Sequence, residues 1–388
     1  MSGGNILGRW HRASSNRLET TVQAYFDTTD RSQLGVLSEY RHTFDVEFEQ
    51  HFTSGHRHDL VWGGDFRNTA DRTVGSLNIS FSPIGLSTNL YGAFVQDDIV
   101  LIADRLKVTL GSKLEHNYFS GFALQPNVRL LWELSPKYAV WAAISRASEN
   151  SSRFDDDIRV NENAFLDANG VVNLESSFGT AHLPPENVLA YELGQRSQVS
   201  KNLSFDLALY YNHYSNRHTQ EPAPNFVEAD PAPSHIVVPT VTRSHISGET
   251  HGLELSAKWK VVHYWTLTSS YSLFETHLHA IDSLDVTTAP DTEGSSPRHE
   301  FQVRSQLDLR YHFQFDTAAY YVDRLVGPQV PAYTRVDARL GWRGGESWEI
   351  SGVFQNLLTP RHFEFGSGDL VEATQVGRSA RASVTWRF

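Results

Sequence analysis

The chain has 388 residues, no cysteine and a formal net charge of -12 at pH 7. This acidic balance argues against nucleic acid as a partner, because phosphate binding requires a basic face. The lack of cysteine excludes disulfide scaffolds, cysteine zinc sites and thiol catalysis. No run of about 18 apolar residues occurs, which excludes helical membrane spans, whereas a membrane β-barrel needs an apolar residue only at every second strand position.

Apolar and polar residues alternate with a period of two along most of the chain, which predicts strands rather than helices. Clear examples, in chain order, are residues 106–114, 128–134, 203–209, 253–259, 301–309, 336–342 and 380–388. We count about 17 strand-like segments of about 10–15 residues, which is long for a soluble sheet. Their polar positions mix acidic and basic residues, as the wall of a solvated lumen would.

Short and long connections alternate between these segments. The long predicted connections include residues 149–186, 215–248, 280–296 and 358–377, which we expect to carry ligand binding. An up-and-down barrel with short periplasmic turns and long external loops has this rhythm, whereas a sandwich with Greek-key crossovers does not. The sequence therefore predicts an all-β fold, an antiparallel up-and-down transmembrane β-barrel of a Gram-negative outer membrane.

Several motifs in this order resemble those of TonB-dependent outer-membrane receptors. They are YGAFVQDD at 91–98, TLGSKLEHNYFSG at 109–121, LPPEN at 183–187, AYELG at 190–194, ALYYNHY at 208–214, GLEL at 252–255, QNLL at 355–358 and the terminal WRF. Each motif alone is weak, and their order and spacing over residues 91–388 carry the resemblance. The first 90 residues match less specifically, as further strands.

The resemblance implies a barrel of 22 strands closed by a plug. It also implies active uptake of a scarce nutrient, such as a ferric siderophore or cobalamin, energised through TonB. The expected partners are outer-membrane lipid, the barrel assembly machinery, TonB through the plug region and a small-molecule or metal-chelate ligand. We expect a monomer without a cofactor, and not an enzyme. A plugless diffusion porin is the alternative function, and nothing positive points to an enzyme or an adhesion scaffold.

The chain departs from the family pattern before its first strand. No plug domain, TonB-contacting box or signal peptide is recognised there. An odd number of alternating strands would also place the two edge strands parallel, unlike bacterial single-chain barrels. We therefore expect residues 1–388 to be the C-terminal barrel part of a receptor, with the plug and about five strands missing.

The C-terminal residues form a candidate assembly signal. Ala382, Val384 and Trp386 stand at alternate positions before the aromatic terminus Phe388. This pattern indicates the signal that the barrel assembly machinery recognises. It is equally what a lipid-facing last strand requires, and the two interpretations are compatible.

The predicted loop 149–186 carries a cluster of charged residues. Arg153, Asp155, Asp156 and Asp157 are candidate ligand contacts, because loops on a rigid scaffold carry recognition. Residues 167–170 with these aspartates also suggest a calcium loop, but the glutamate that such a loop needs is out of register. A solvated loop is the simpler interpretation with respect to calcium.

His277 and His279 flank Leu278 near the end of a predicted strand. Residues at i and i+2 share one strand face, so this pair could hold a transition metal. The sequence positions no third ligand, so we predict no metal site and treat both residues as rim side chains that could contact a ligand. No catalytic motif is present, so no catalytic residue is predicted.

Overall fold

The computed structural model describes residues 1–15, 17–345, 347–366 and 373–388. Strands make up most of it. In chain order they are β1 (Ser2–Ser15), β2 (Leu18–Gln33), β3 (Leu37–Ser54), β4 (His58–Val74), β5 (Ile79–Phe81), β6 (Gly85–Ile102), β7 (Leu106–Asn117), β8 (Gly121–Ser135), β9 (Tyr138–Glu149), β10 (Ile158–Leu166), β11 (Val172–Phe178), β12 (Glu186–Ser200), β13 (Leu203–Pro222), β14 (Phe226–Glu228), β15 (His235–Val262), β16 (Trp265–Ala280), β17 (His299–Asp308), β18 (Phe313–Val322), β19 (Tyr333–Gly344), β20 (Trp348–Gln355), β21 (Arg361–Phe363), β22 (Gln375–Gly377) and β23 (Ser379–Trp386).

Within the described ranges, helical structure is confined to two short helices and one turn. They are α1 (Arg153–Asp156), α2 (Thr288–Glu293) and a 3₁₀ turn at Arg310–His312. Among the described residues, no helix has the length and apolar composition needed to cross a membrane.

The long strands form one antiparallel meander in which each strand pairs with the next. Its members, in order, are β1, β2, β3, β4, β6, β7, β8, β9, β12, β13, β15, β16, β17, β18, β19, β20 and β23. The number of strands in this meander agrees with the number of strand segments predicted from the sequence. Among the described strands, β1 pairs only with β2 and β23 only with β20, so the sheet is open between them.

The short turns lie at one end of the sheet, the turn end, and the long connections at the other, the loop end. From the alternation of short and long connections we also expect tight turns at residues 13–16 and 344–346, whose last residues, Asn16 and Glu346, lie outside the described residues. Near the turn end, Trp348 stacks on Trp386 with ring centroids 5.8 Å apart, as expected for an interfacial aromatic girdle.

The sheet has an apolar and a polar face over most of its height. We call the apolar one the outer face. On β15 and β16 it carries Leu253 opposite Leu273, and Leu255 opposite Tyr271. The inner face carries ion pairs: Arg339 bonds Asp316 at 3.1 Å and Glu349 at 2.9 Å. This division is the one predicted for lipid on one side and water on the other.

The loop end is more ordered than predicted. β13 extends to Pro222 and β15 begins at His235, so the predicted loop 215–248 is wrong in its bounds and shrinks to residues 223–234. The predicted loop 149–186 contains the hairpin β10–β11. β5 pairs with β10, β11 pairs with β15 in parallel, and β14 pairs with β15. Each of these segments is a strand because it pairs with the free edge of a neighbouring strand. A period-two sequence pattern does not show which edges are available for pairing.

Candidate ligand-binding mouth

At the loop end, α1, β5, β10, β11, β14, the start of β15 and the loop with α2 form a layer over the barrel strands, and we call this layer the mouth. Arg153 holds one side of it together. Its guanidinium pairs with Asp71 of β4, with the carbonyl of Pro83 and, at 3.3 Å, with Asp157. Arg153 and Asp71 are only 11% and 9% exposed. Because a buried charge is tolerated only when paired, this contact fixes α1 to the barrel wall.

The three aspartates that follow are also engaged within the loop. Asp155 accepts bonds from the backbone N–H and hydroxyl of Ser152, at 2.8 and 2.7 Å, and so caps α1. Asp156 accepts the backbone N–H of His182 at 3.0 Å. Burial raises the pKa of Asp156 to about 6, with smaller contributions from the neighbouring aspartates. Ligand contact by these residues stays a prediction, and the structure shows that they organise the loop.

Asp167, the other aspartate considered for calcium, closes a turn. Its carboxylate accepts the backbone N–H groups of Asn169 and Val171 at 2.8 and 2.9 Å. Such Asx turns account for its position without an ion.

A second ion pair ties the hairpin β10–β11 to the segment after β13. Arg159 donates two hydrogen bonds to Glu228, at 2.9 and 2.8 Å, and its guanidinium lies 5.2 Å from the ring centre of Phe178. The bidentate bonds from Arg159 lower the pKa of the Glu228 carboxyl. This side of the mouth is therefore cross-linked by both strands and charge.

The loop that carries α2 is fixed by Asp285. Burial alone would raise the pKa of Asp285, but hydrogen bonds from the backbone N–H groups of Gln220, Thr287 and Thr288 and from the Thr288 hydroxyl hold it well below its usual range. Ala289 of α2 packs on Ile246 and Leu278, which face inward. Polar and apolar contacts thus dock this loop on β13, β15 and β16.

The last external loop begins at Asn356, inside the QNLL motif. Asn356 is fully buried and has φ of 59°, in the left-handed region that asparagine tolerates. Its backbone N–H donates to Asp337 at 3.0 Å and its amide donates to the carbonyl of Val376 at 3.1 Å. The QNLL motif therefore marks the turn into the last external loop, which begins two residues before its predicted bound at residue 358. Residues 367–372 of the predicted loop 358–377 lie outside the described residues.

Two arginine–tyrosine pairs on the inner face at the loop end carry no signal in the sequence pattern. Arg217 lies 5.6 Å from the ring centre of Tyr214, and Arg335 lies 5.6 Å from that of Tyr320. Arg335 also donates to both oxygens of Asp337. The acidic neighbour of Arg217 in the part of the chain that the structure describes is Glu186, at 3.7 Å. A guanidinium beside an aromatic ring can hold an anionic, aromatic ligand.

The structure places His277 and His279 on the outer face of β16. Both have the same parity as Tyr271 and Leu273, so they point away from the lumen. Their predicted ligand contact stays a prediction, and the residues around the opening are others. His277 lies near His251 of β15 and Glu275, and the donor atoms of these three residues are within 4.8 Å of one another.

The candidate assembly signal lies on the outer face of β23. Ala382 and Val384 pair with Gly352 and Ile350, and Trp386 pairs with Trp348. Phe388 is fully exposed, with its ring 5.6 Å from that of Trp386. The lipid-facing placement agrees with the sequence, and recognition by the assembly machinery stays a prediction.

Comparison with known proteins gives a family match over nearly the whole chain. A family model described as "TonB dependent receptor-like, beta-barrel" matches residues 4–357. The structure superposes on a point mutant of the ferric enterobactin receptor of Pseudomonas aeruginosa with a TM-score of 0.76 at 14% identity, covering 99% of this chain and 62% of that one. The siderophore receptor PirA of the same organism gives 0.69 at 15% identity, covering 100% and 65%.

A curated relative is the iron-regulated outer membrane virulence protein of Vibrio cholerae. It is 23% identical over 218 residues, which are 55% of this chain and 31% of the relative. This chain therefore corresponds to part of the length of its relatives. At these identities the solved structures show a shared fold.

Proposed function

Because this chain belongs to the TonB-dependent receptor-like β-barrel family, an outer-membrane family of receptors and transporters, we propose that it forms the barrel of a receptor for a ferric siderophore. The outer membrane of a Gram-negative bacterium is its location, so the loop end is extracellular and the turn end periplasmic. Two solved structures with the same fold are siderophore receptors by title, and the curated relative is iron-regulated by name. These likenesses support iron uptake over cobalamin uptake.

The observation that carries the proposal is that the segments of the mouth are ordered and cross-linked to one another. Strands β5, β10, β11, β15 and β14 join into one extracellular sheet. Arg153 ties α1 to β4, Arg159 ties β10 to β14, and Asp285 ties the α2 loop to β13. A cross-linked rim keeps its shape without a ligand, so less ordering entropy is lost on binding. A mouth of this kind suits a specific receptor better than an open diffusion channel.

Arg217 is the residue that we propose for ligand contact. Its side chain is 33% exposed and lies on the ring of Tyr214, on the inner face. Ferric complexes of catecholate siderophores are anionic and aromatic, so they would bind a guanidinium and a tyrosine ring together. Arg335 is less available, because Asp337 already takes two of its donors.

Ligand binding by the full-length protein tests this function. We expect purified receptor to bind ferric enterobactin, and Arg217→Ala to weaken binding by about 10-fold, as for loss of one charged hydrogen bond. The matched control is Arg196→Ala, whose side chain is 77% exposed and pairs with Asp206 on the inner face towards the periplasm. Binding of cobalamin by the purified receptor, without binding of any ferric siderophore, would overturn the siderophore assignment.

Energisation by TonB is part of the proposal and needs its own measurement. In cells, deletion of TonB should abolish uptake of radioactive iron while ligand binding at the surface persists. Uptake that continues without TonB, together with ion conductance of the full-length protein in planar bilayers, would instead indicate a diffusion channel.

A further inference from the structure

The hairpin β15–β16 changes its polarity where it leaves the membrane. Up to Leu253 and Leu273 the outer face is apolar. Beyond them, towards the loop end, the same face carries His251, Glu275 and His277. These three side chains therefore stand on the outside of the barrel, just extracellular of the hydrocarbon, and not in the mouth.

The donor atoms of the cluster converge on one carboxylate oxygen. Nε2 of His251 lies 3.6 Å and Nε2 of His277 lies 4.0 Å from Oε2 of Glu275. Both distances exceed a hydrogen bond. Two ligand atoms that each lie about 2.1 Å from a zinc ion at the tetrahedral angle are separated by about 3.4 Å. Small rotamer adjustments would let all three atoms bind one ion.

The surroundings hold the carboxylate in the orientation that an ion requires. Arg298 pairs with the other oxygen, Oε1, which leaves Oε2 directed at the two imidazoles. The imidazole rings lie 5.8 Å apart and are inclined by 30°, and in each ring it is Nε2 that lies near Oε2 of Glu275. An outer partner that orients a ligating carboxylate is a usual feature of metal sites.

The ligand set selects the type of ion. We propose that His251, Glu275 and His277 form a surface site for a late first-row divalent metal, with Zn²⁺ as the reference ion. Two imidazoles and one carboxylate suit Zn²⁺, Ni²⁺ and Cu²⁺, whereas Ca²⁺ and Mg²⁺ require more oxygen ligands. Water completes the tetrahedron, because the side chains of His251, Glu275 and His277 are 44%, 23% and 53% exposed.

The site is separate from the proposed transport path. Its side chains are on the opposite face of the strands from Thr250 and Thr276, which are of inward parity. An ion held there would bridge β15 and β16 at the membrane surface. It would act as a cross-link between two strands rather than as transported cargo.

Metal titration of the full-length protein tests the site. The protein, purified without a histidine tag and stripped with a chelator, is titrated with Zn²⁺ by calorimetry and with Co²⁺ by visible absorption. We expect tetrahedral Co²⁺ bands, and a loss of at least about 10-fold in affinity for one site in His277→Ala and in Glu275→Gln. Because both residues are at the surface, heat-modifiable migration in gels should show that each variant is folded.

His279→Ala is the matched control, since His279 shares the outer face but lies outside the cluster. It should bind Zn²⁺ and Co²⁺ like the wild type. Absence of tetrahedral Co²⁺ bands in the wild type, or equal losses in His279→Ala and His277→Ala, would overturn the site. Ferric enterobactin binding should be unchanged in Glu275→Gln, because Glu275 lies on the outer face and is not a predicted ligand contact. Failure of the metal site and failure of the receptor function are therefore distinguishable.

Discussion

Side chains alternate between the two faces along the whole hairpin β15–β16, but the apolar face is the outer one in its membrane half and the inner one in its extracellular half. In the membrane, Leu255 and Tyr271 face outward. Above it, the apolar residues Ile246 and Leu278 face inward beneath Ala289, and charged residues face outward. The difference teaches that apolar side chains follow whichever side lacks water: lipid in the membrane half, and a docked loop in the extracellular half.

The largest expected effect comes from placing a charge on the outer face within the membrane. Leu255→Arg should destabilise the folded full-length protein by about 2–4 kcal/mol, because lipid cannot solvate a guanidinium. Denaturant unfolding in lipid vesicles measures this cost. Ser256→Arg, on the inner face of the same strand, is the control and should cost little. Equal losses in the free energy of unfolding for the two variants would contradict the assignment of the outer and inner faces.

The corresponding change in the extracellular half is on the inner face. Leu278→Ala should make local opening of residues 281–298 easier by about 2 kcal/mol, since the packing under Ala289 is lost. Hydrogen exchange of that loop is the measurement. Leu284→Ala in the same loop is the control, because Leu284 is 74% exposed. Unchanged exchange in Leu278→Ala would mean that polar contacts alone dock the loop.

The two extracellular loops should respond differently to pH. Asp156 has a pKa of about 6 in the folded loop and 3.8 as its ordinary value. Between these values the folded loop binds a proton that the unfolded loop does not, so its stability rises as pH falls from about 6 to 4. Allowing for partial solvent screening, we expect a gain of about 1–2 kcal/mol in protection of residues 150–185.

Hydrogen exchange corrected for intrinsic rates measures this gain, and Asp156→Asn should remove it. The loop at 281–298 is the internal control. The pKa of Asp285 lies below its usual range, so the stability that it contributes is complete above pH about 4 and is lost only in stronger acid. A parallel pH response in the two loops would contradict the burial argument for Asp156.

The smallest expected effect on the folded state is at the periplasmic boundary. Phe388 is fully exposed, so Phe388→Ala should leave the stability of assembled barrels nearly unchanged. If the residue is part of an assembly signal, the amount of heat-modifiable protein in the membrane should fall several-fold. Phe388→Tyr keeps the aromatic ring and is the control. Equal abundance of all three proteins would show that the last strand assembles without this signal.

Much of the barrel could be predicted from the sequence, because the alternation that defines a membrane strand arises from the local contact of each residue with lipid or water. A strand between lipid and water alternates residue by residue, so the strand number, the antiparallel meander and the lipid-facing positions Val384 and Trp386 follow from the order of residues alone. Asn356 was also predictable as the start of the last loop, since its motif places the turn. Nothing in these features depends on a residue that is distant in the chain.

The mouth and the metal cluster were decided by tertiary structure. Arg153 of α1 pairs with Asp71 of β4, and β11 pairs in parallel with β15. Glu275 and His277 of β16 meet His251 of β15 across one strand pair. Each contact joins segments that lie far apart in sequence or depends on strand register, and a period-two pattern carries no information about either. The sequence by itself determined which side chains meet lipid, because lipid and water act on each residue separately. The pairing and register of the strands determined which charged side chains meet one another.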